Sequence, residues 1–288
     1  MGRSPPARPR RALGPGTGKA SRPLVEGAGE GVTHATMPLF DRRGVLGVAA
    51  AVASCRPSSP SAPPLRVAAA ADLRDVLDAV CAEVAPTLGT RPELVYGASG
   101  SLYAQITHGA PFDLFLSADE AYPEGLLRSG AAVEVFRYAT GALALWISPR
   151  HPAAARAGLD ALKHPEVRRV ALANPAHAPY GRAADATLRA LHVADDHPTR
   201  VFAENVAQSL QLALADVVDA AFVAASSSRR LAGRGALVPV PASLHPPLTQ
   251  AGAVLRAPGD LSRARAFARA LTSPAGQATL RRYGFAPP

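Results

Sequence analysis

Cysteine and lysine each occur only twice in the 288 residues, and tryptophan once. With Cys55 and Cys81 as the whole supply, modifying one leaves the other without a disulfide partner. The eight histidines are scattered, several beside proline in expected loops, so none forms a cluster with metal-ligand spacing. The apolar run Val45–Ala53 is too short to stay in a bilayer as a spanning helix. Positive charge is scarcer than the formal +9 suggests. Nine of the basic and three of the acidic residues precede Leu65, which leaves 22 against 19 for the remainder, a surplus of +3. That is too little to mark a nucleic-acid surface. The scarcity of lysine beside arginine, in an Ala- and Pro-rich chain, carries no functional message. What remains is an ordinary globular balance, 48% hydrophobic and 18% charged, with length for one large domain or two smaller lobes.

The N-terminal quarter reads as an address. Residues 1–36 are rich in Gly, Pro, Arg and Ser without apolar periodicity, which predicts disorder or an extension upstream of a start at Met37. From there "MPLFDRRGVLGVAAAVASC" (37–55) sets Arg42 and Arg43 before the short apolar run and ends in small residues, the layout of an export signal. The arginine pair resembles a twin-arginine signal, and "VASC" resembles a bacterial lipobox that would be lipidated at Cys55. "RPSSPSAPP" (56–64) then reads as a tether.

From Leu65 onward, short apolar runs alternate with amphipathic stretches, which predicts an α/β fold with a mainly parallel sheet. Strands are expected at 65–71, 93–98, 112–118, 139–149, 168–175 and 219–226, and helices at 72–88, 101–109, 119–130, 181–191 and 205–217. Two more helices, broken near Pro274, are expected over 261–285. Residues 227–235 read as a polar loop or short helix. Asp72 is placed to cap the first helix, and Cys81, at helical spacing among apolar residues, to be a small buried side chain.

Four strand-to-helix junctions share one chemistry: Ala71-Asp72-Leu73, Gly97 to Leu102 (with Ser99, Gly100 and Ser101), Pro179-Tyr180-Gly181, and Glu204-Asn205-Val206. The first amides of a helix lack intrahelical acceptors and sit at the positive end of its dipole, so anions are welcome there. Parallel α/β sheets bring such helix starts together at the carboxyl ends of their strands. Any one junction can be a capped helix and nothing more. Four around one point would hold an anion through neutral donors alone.

The blocks "VAAAADL", "VYGASGSLYAQITHGAPFDLFLSADE", "ALANPAHAPYGRAADATL", "FAENVAQSL" and "SPAGQATLRRYGF" resemble, in this order, the periplasmic molybdate-binding proteins of bacterial ABC transporters, from about Arg66 to Phe285. The resemblance implies a type II periplasmic-binding-protein-like α/β fold of two lobes with the ligand cleft between them. Lobe one would be 65–138 plus 248–288 and lobe two 139–247. It implies a non-enzymatic monomer in the cell envelope that binds molybdate or tungstate without a cofactor, is tied to the membrane only through a lipid at Cys55, and serves an ABC permease and its ATPase. The oxyanion would be held by Asp72, Ser99, Tyr180, Val206 and Ala224. Ala71, Gly100 and Asn205 would support them, with Gly100 allowing close approach and Ser101 beginning the helix behind. No protein-ligated metal cation is implied.

Two positions depart from that pattern. Ala224 stands where some members carry a tyrosine, and the hydroxyls of Tyr180 or Ser226 are the nearest replacements in the sequence. Asp72 stands at a serine, where a carboxylate would repel a dianion. Three arrangements remove the repulsion: the side chain caps its own helix, the carboxyl is protonated, or the ligand brings a proton, as hydrogen phosphate or arsenate would. The first is the expectation adopted for this chain. Phosphate, arsenate or sulfate remain alternative ligands, and oxyanion sensing an alternative to transport. A hydrolase built on Ser99, His108 and Asp113 is disfavoured, because "GASGS" is not a G-x-S-x-G elbow and His108 lies further along Ser99's own helix.

Overall fold

A computed structural model describes residues 63–256 and 261–288. The expectations for the export segment, for Cys55 and for the tether up to residue 62 fall outside those residues. The strands and helices run β1 (Arg66–Ala70), α1 (Arg74–Leu88), β2 (Glu93–Gly97), α2 (Ser99–Thr107), β3 (Leu114–Ser117), α3 (Ala121–Arg128) and β4 (Ala132–Thr140). There follow β5 (Leu143–Ile147), α4 (Pro152–Arg156), β6 (Arg169–Ala173), α5 (Pro179–Ala190), β7 (Thr199–Ala203), α6 (Val206–Leu214), β8 (Ala220–Ala224) and β9 (Ala236–Pro239). The chain ends with β10 (Thr249–Leu255), α7 (Leu261–Thr272) and α8 (Pro274–Arg282). A 3-10 turn, Ala71–Leu73, leads into α1, and another, Ala225–Leu231, follows β8.

The strands form two five-stranded sheets, β2-β1-β3-β10-β4 and β7-β6-β8-β5-β9. In the first, β1 runs parallel to β2 and β3, while β10 is antiparallel to β3 and β4. The second repeats the plan, with β6 parallel to β7 and β8, and β5 antiparallel to β8 and β9. The sheets are therefore mixed, not mainly parallel. Four strands were not anticipated, β4, β9 and β10 with their antiparallel pairings and the parallel edge strand β7, and residues 139–149, expected as one strand, divide between the end of β4 and β5 at Gly141 and Ala142.

Both faces of each sheet are covered, which is why the central strands read as unbroken apolar runs. On β1, Val67 and Ala69 face the core shared with α1, while Ala68 faces Leu102 and Ile106 of α2. On β5, Leu143, Leu145 and Ile147 face the main core, and Ala144 and Trp146 pack with Leu210 and Ala213 of α6. Cys81 is a free, buried residue of α1 with its thiol pushed up to about 11 by burial, as its helical spacing predicted. The chain leaves the first sheet through Gly141 and returns before β10. The two crossings touch where Gly141 N–H donates to Leu248 O at 2.9 Å.

Candidate functional site

The repeated plan puts four helix starts at equivalent places. β1 and β2 lead into the 3-10 turn before α1 and into α2, and β6 and β7 lead into α5 and α6. Because β1 and β6 each have a parallel neighbour on both sides, their carboxyl ends are where an α/β sheet opens a crevice. The four junctions meet there, around a cleft with about 200 Å³ of atom-free space including its mouth, lined by Asp72, Ser99, Ala118, Pro179, Tyr180, Asn205 and Val206 among others. None of the lining residues carries a cationic side chain.

Ser99 is the first residue of α2 and only 1% exposed. Its Oγ accepts the Ala118 N–H at 3.0 Å, which leaves the hydroxyl proton to be donated into the cleft. Val206 opens α6, and Asn205 caps it, its Oδ1 accepting from Gln208 N–H at 3.1 Å. Tyr180 is the second residue of α5, after Pro179, whose fixed φ and missing N–H suit the first helical position. The main-chain amides of Ser99, Tyr180 and Val206 lie in first turns, where the helix offers no acceptor. Ala71 lies in the 3-10 turn and lines the same cleft.

Asp72 departs from its expected role. It sits inside the 3-10 turn, 2% exposed, and makes no cap to α1, which starts two residues later at Arg74. Its Oδ2 instead accepts the Tyr180 hydroxyl at 3.1 Å and the Gln250 side-chain amide, while Oδ1 is buried without a partner. Burial pushes Asp72 up to about 6, against the lowering effect of the hydrogen bonds from Gln250, Tyr180 and its own main-chain amide. The capping expectation is thus replaced by a buried carboxyl without a counter-ion.

Four further expectations are corrected. Ala224 ends β8, paired with Leu143, and is not among the lining residues. Ser226 does not replace its missing hydroxyl, because Ser226 Oγ donates to Asp72 O at 3.0 Å. Helix α2 begins at Ser99, not Ser101, and Ser101 Oγ donates to Glu204. Gly100 makes its close approach to protein: its N–H donates to His177 O at 2.8 Å, and a Cβ there would come within 2.7 Å of that same oxygen.

The hydrolase arrangement is absent. His108 closes α2 at the end opposite Ser99, its Nδ1 at 2.7 Å from Ala104 O, and Asp113 accepts from Arg66 N–H. Two residues of the site went unnoticed in the sequence. Ala118 contributes only its amide and so leaves no side-chain signal. Gln250 is the one fully buried polar residue of β10, and that polar letter beside an apolar run was the only signal of it.

Two sheets of repeated plan joined by paired crossings, with opposed helix starts around a cleft that holds no cationic side chain, define a type II periplasmic binding protein fold. The sequence profile of the family described as bacterial extracellular solute-binding protein matches residues 65–286. The chain is 34% identical over 196 residues to the molybdate-binding protein ModA of Rhodobacter capsulatus, covering 66% of this chain and 75% of that one. It is 30% identical over 227 residues to ModA of Azotobacter vinelandii, covering 77% and 89%. The solved periplasmic molybdate-binding protein of Azotobacter vinelandii superposes with a TM-score of 0.71 at 29% identity, covering 78% of this chain and 99% of that structure. The chain belongs to the bacterial extracellular solute-binding protein family, whose members bind and do not transform their ligands.

Proposed function

We propose that this protein captures molybdate, or the similarly tetrahedral tungstate, in the cell envelope and delivers it to an ABC permease and its ATPase. The observation that carries this reading is the convergence of four helix starts on one cleft lined by neutral donors, with Ser99 held so that its hydroxyl proton is free. The likeness to two ModA proteins and to a solved molybdate-binding protein supports the choice of ligand. Ser99 Oγ and the amides of Ser99, Tyr180 and Val206 are the proposed donors, with Asn205 holding α6 in place and Asp72 at the cleft wall. Residues 65–138 plus 248–288 would move against 139–247 about the paired crossings, opening and closing the cleft as a hinge.

Delivery would start from a monomer anchored by a lipid on Cys55 after removal of 37–54. No helix among the described residues is long and apolar enough to cross a membrane. Mass spectrometry of the membrane-extracted protein would show a diacylglyceryl cysteine as its first residue. A second reading, a proton-bearing oxyanion such as phosphate or arsenate, is favoured by one feature, the carboxyl of Asp72. Calorimetry of the full chain against molybdate, tungstate, sulfate and phosphate decides between them. Saturable heat with the first two supports the proposal, and heat with phosphate or sulfate alone rejects it.

A further inference from the structure

We propose that an oxyanion in this cleft binds together with one proton held between it and Asp72 Oδ1. The proton is taken from solvent when the ligand is a bare dianion and brought by the ligand when that ligand is hydrogen phosphate. This deepens the oxyanion reading above and rests on it.

The two oxygens of Asp72 are unequal. Oδ2 is filled by Tyr180 from α5 and Gln250 from β10, whereas Oδ1 has no partner, although the residue is 2% exposed and lines the cleft. A buried polar atom left unpaired is costly, so its presence at a ligand cavity asks what fills it. The groups facing Asp72 are all uncharged at neutral pH. They are the Tyr180 hydroxyl, the Tyr138 hydroxyl of β4, which donates to Ser117 O at 3.0 Å, the Gln250 amide, and Ser226 on the main-chain oxygen. The charged and titratable side chains on the surrounding elements are engaged elsewhere. Arg74 stacks over Tyr96, Arg230 lies 3.8 Å from Asp75, Arg137 pairs with Glu120, Arg182 with Asp119, and His177 with Glu204.

An ionised Asp72 would therefore meet a dianion with no cationic side chain to offset the repulsion. A proton on Oδ1 turns the same contact into an O–H···O hydrogen bond. Charge balances simply: carboxylate, dianion and one solvent proton give a carboxylic acid donating to the dianion. Molybdate and tungstate leave the proton on Asp72. Hydrogen phosphate carries its own O–H and donates it to the carboxylate, with no proton exchanged. In the empty site the carboxyl titrates near 6, so above neutrality the uptake approaches one proton per dianion.

The test is calorimetry of the full chain with sodium molybdate at pH 8, in buffers of different ionisation enthalpy. The result expected is uptake of one proton per molybdate, with Kd rising about tenfold per pH unit between pH 7 and 9. Asp72→Asn, whose amide can donate where the acid did, should bind without proton uptake and with a flat pH profile. Hydrogen phosphate, where it binds wild type, should do so at pH 8 without uptake. Molybdate binding to wild type without proton uptake overturns this inference and leaves the oxyanion reading intact, as does a variant that keeps the wild-type slope. Absence of heat with every oxyanion between pH 5 and 9 overturns both.

Discussion

Asp72 is buried where an ionised carboxylate has no cation to meet, so its charge is a cost to the empty fold. Its folded value of about 6, raised from 3.8 by burial, fixes the pH window. Below pH 3.8 both folded and unfolded chains carry a neutral acid and nothing differs. Between 3.8 and 6 the unfolded chain releases its proton while the folded one retains it, so stability falls as pH rises. Above 6 the loss is complete, on the order of 3 kcal/mol from the size of the shift. Ligand-free Asp72→Asn is therefore expected to match wild type in urea unfolding near pH 4 and to exceed it by up to about 3 kcal/mol at pH 8. Equal stability of the two at pH 8 would mean that water or local movement solvates the carboxyl. Gly141, in the crossing beneath, belongs to the same cluster: a Cβ there would overlap the Tyr180 hydroxyl and lie 2.8 Å from Gln250 Nε2. The crossing passes close only because it carries no side chain.

At the scale of elements, the side chains at the helix starts divide into those that hold the helix and those that keep a donor for the cleft. Asn205 spends its side chain on the Gln208 amide, whereas Ser99 keeps its hydroxyl proton uncommitted. Asn205→Ala should cost about 1 kcal/mol of stability in thermal unfolding, as loss of a cap does. Ser99→Ala strips the buried Ala118 N–H of its acceptor and should lower stability by about 1–3 kcal/mol, and beyond that it should weaken molybdate binding by roughly tenfold or more, the value of a hydrogen bond to a charged group. If both changes act on stability alone, Ser99 is a cap and not a donor.

These junctions were legible because strand, small residue and helix follow one another within a few letters. The elements that escaped were those whose signal is set by distant partners. β7 is a half-exposed edge strand, β9 is a short edge strand, and β10 breaks its apolar run with Gln250 and Gly252, the latter lying under the Phe136 ring. Asp72 was misread for the same reason. An acidic residue before a helix ordinarily caps it, and nothing near it in sequence discloses Tyr180 and Gln250, 108 and 178 residues away.

At the scale of the whole molecule, the two sheets are drawn together by polar contacts around the cleft as well as by the site itself. Arg182 of α5 pairs with Asp119 beyond β3 and donates to Tyr122 Oη at 3.1 Å, Ser101 reaches Glu204, and Gly100 reaches His177. None of these side chains lines the cleft, so under the hinge proposed above they would act on the ligand only by favouring the closed arrangement, and a ligand confined to that arrangement binds in proportion to its population. Arg182 is 38% exposed and Asp119 25%, which keeps the pair in the range of screened surface contacts, about 0.2–1 kcal/mol. Arg182→Ala should therefore raise the molybdate Kd by roughly two- to fivefold, mainly through faster release. The difference from wild type should shrink at 1 M salt, where the Debye length falls to about 3 Å. Stopped-flow release at low and high salt measures both. A loss of a hundredfold, or one indifferent to salt, would place Arg182 on the ligand and not on the closure of one half against the other.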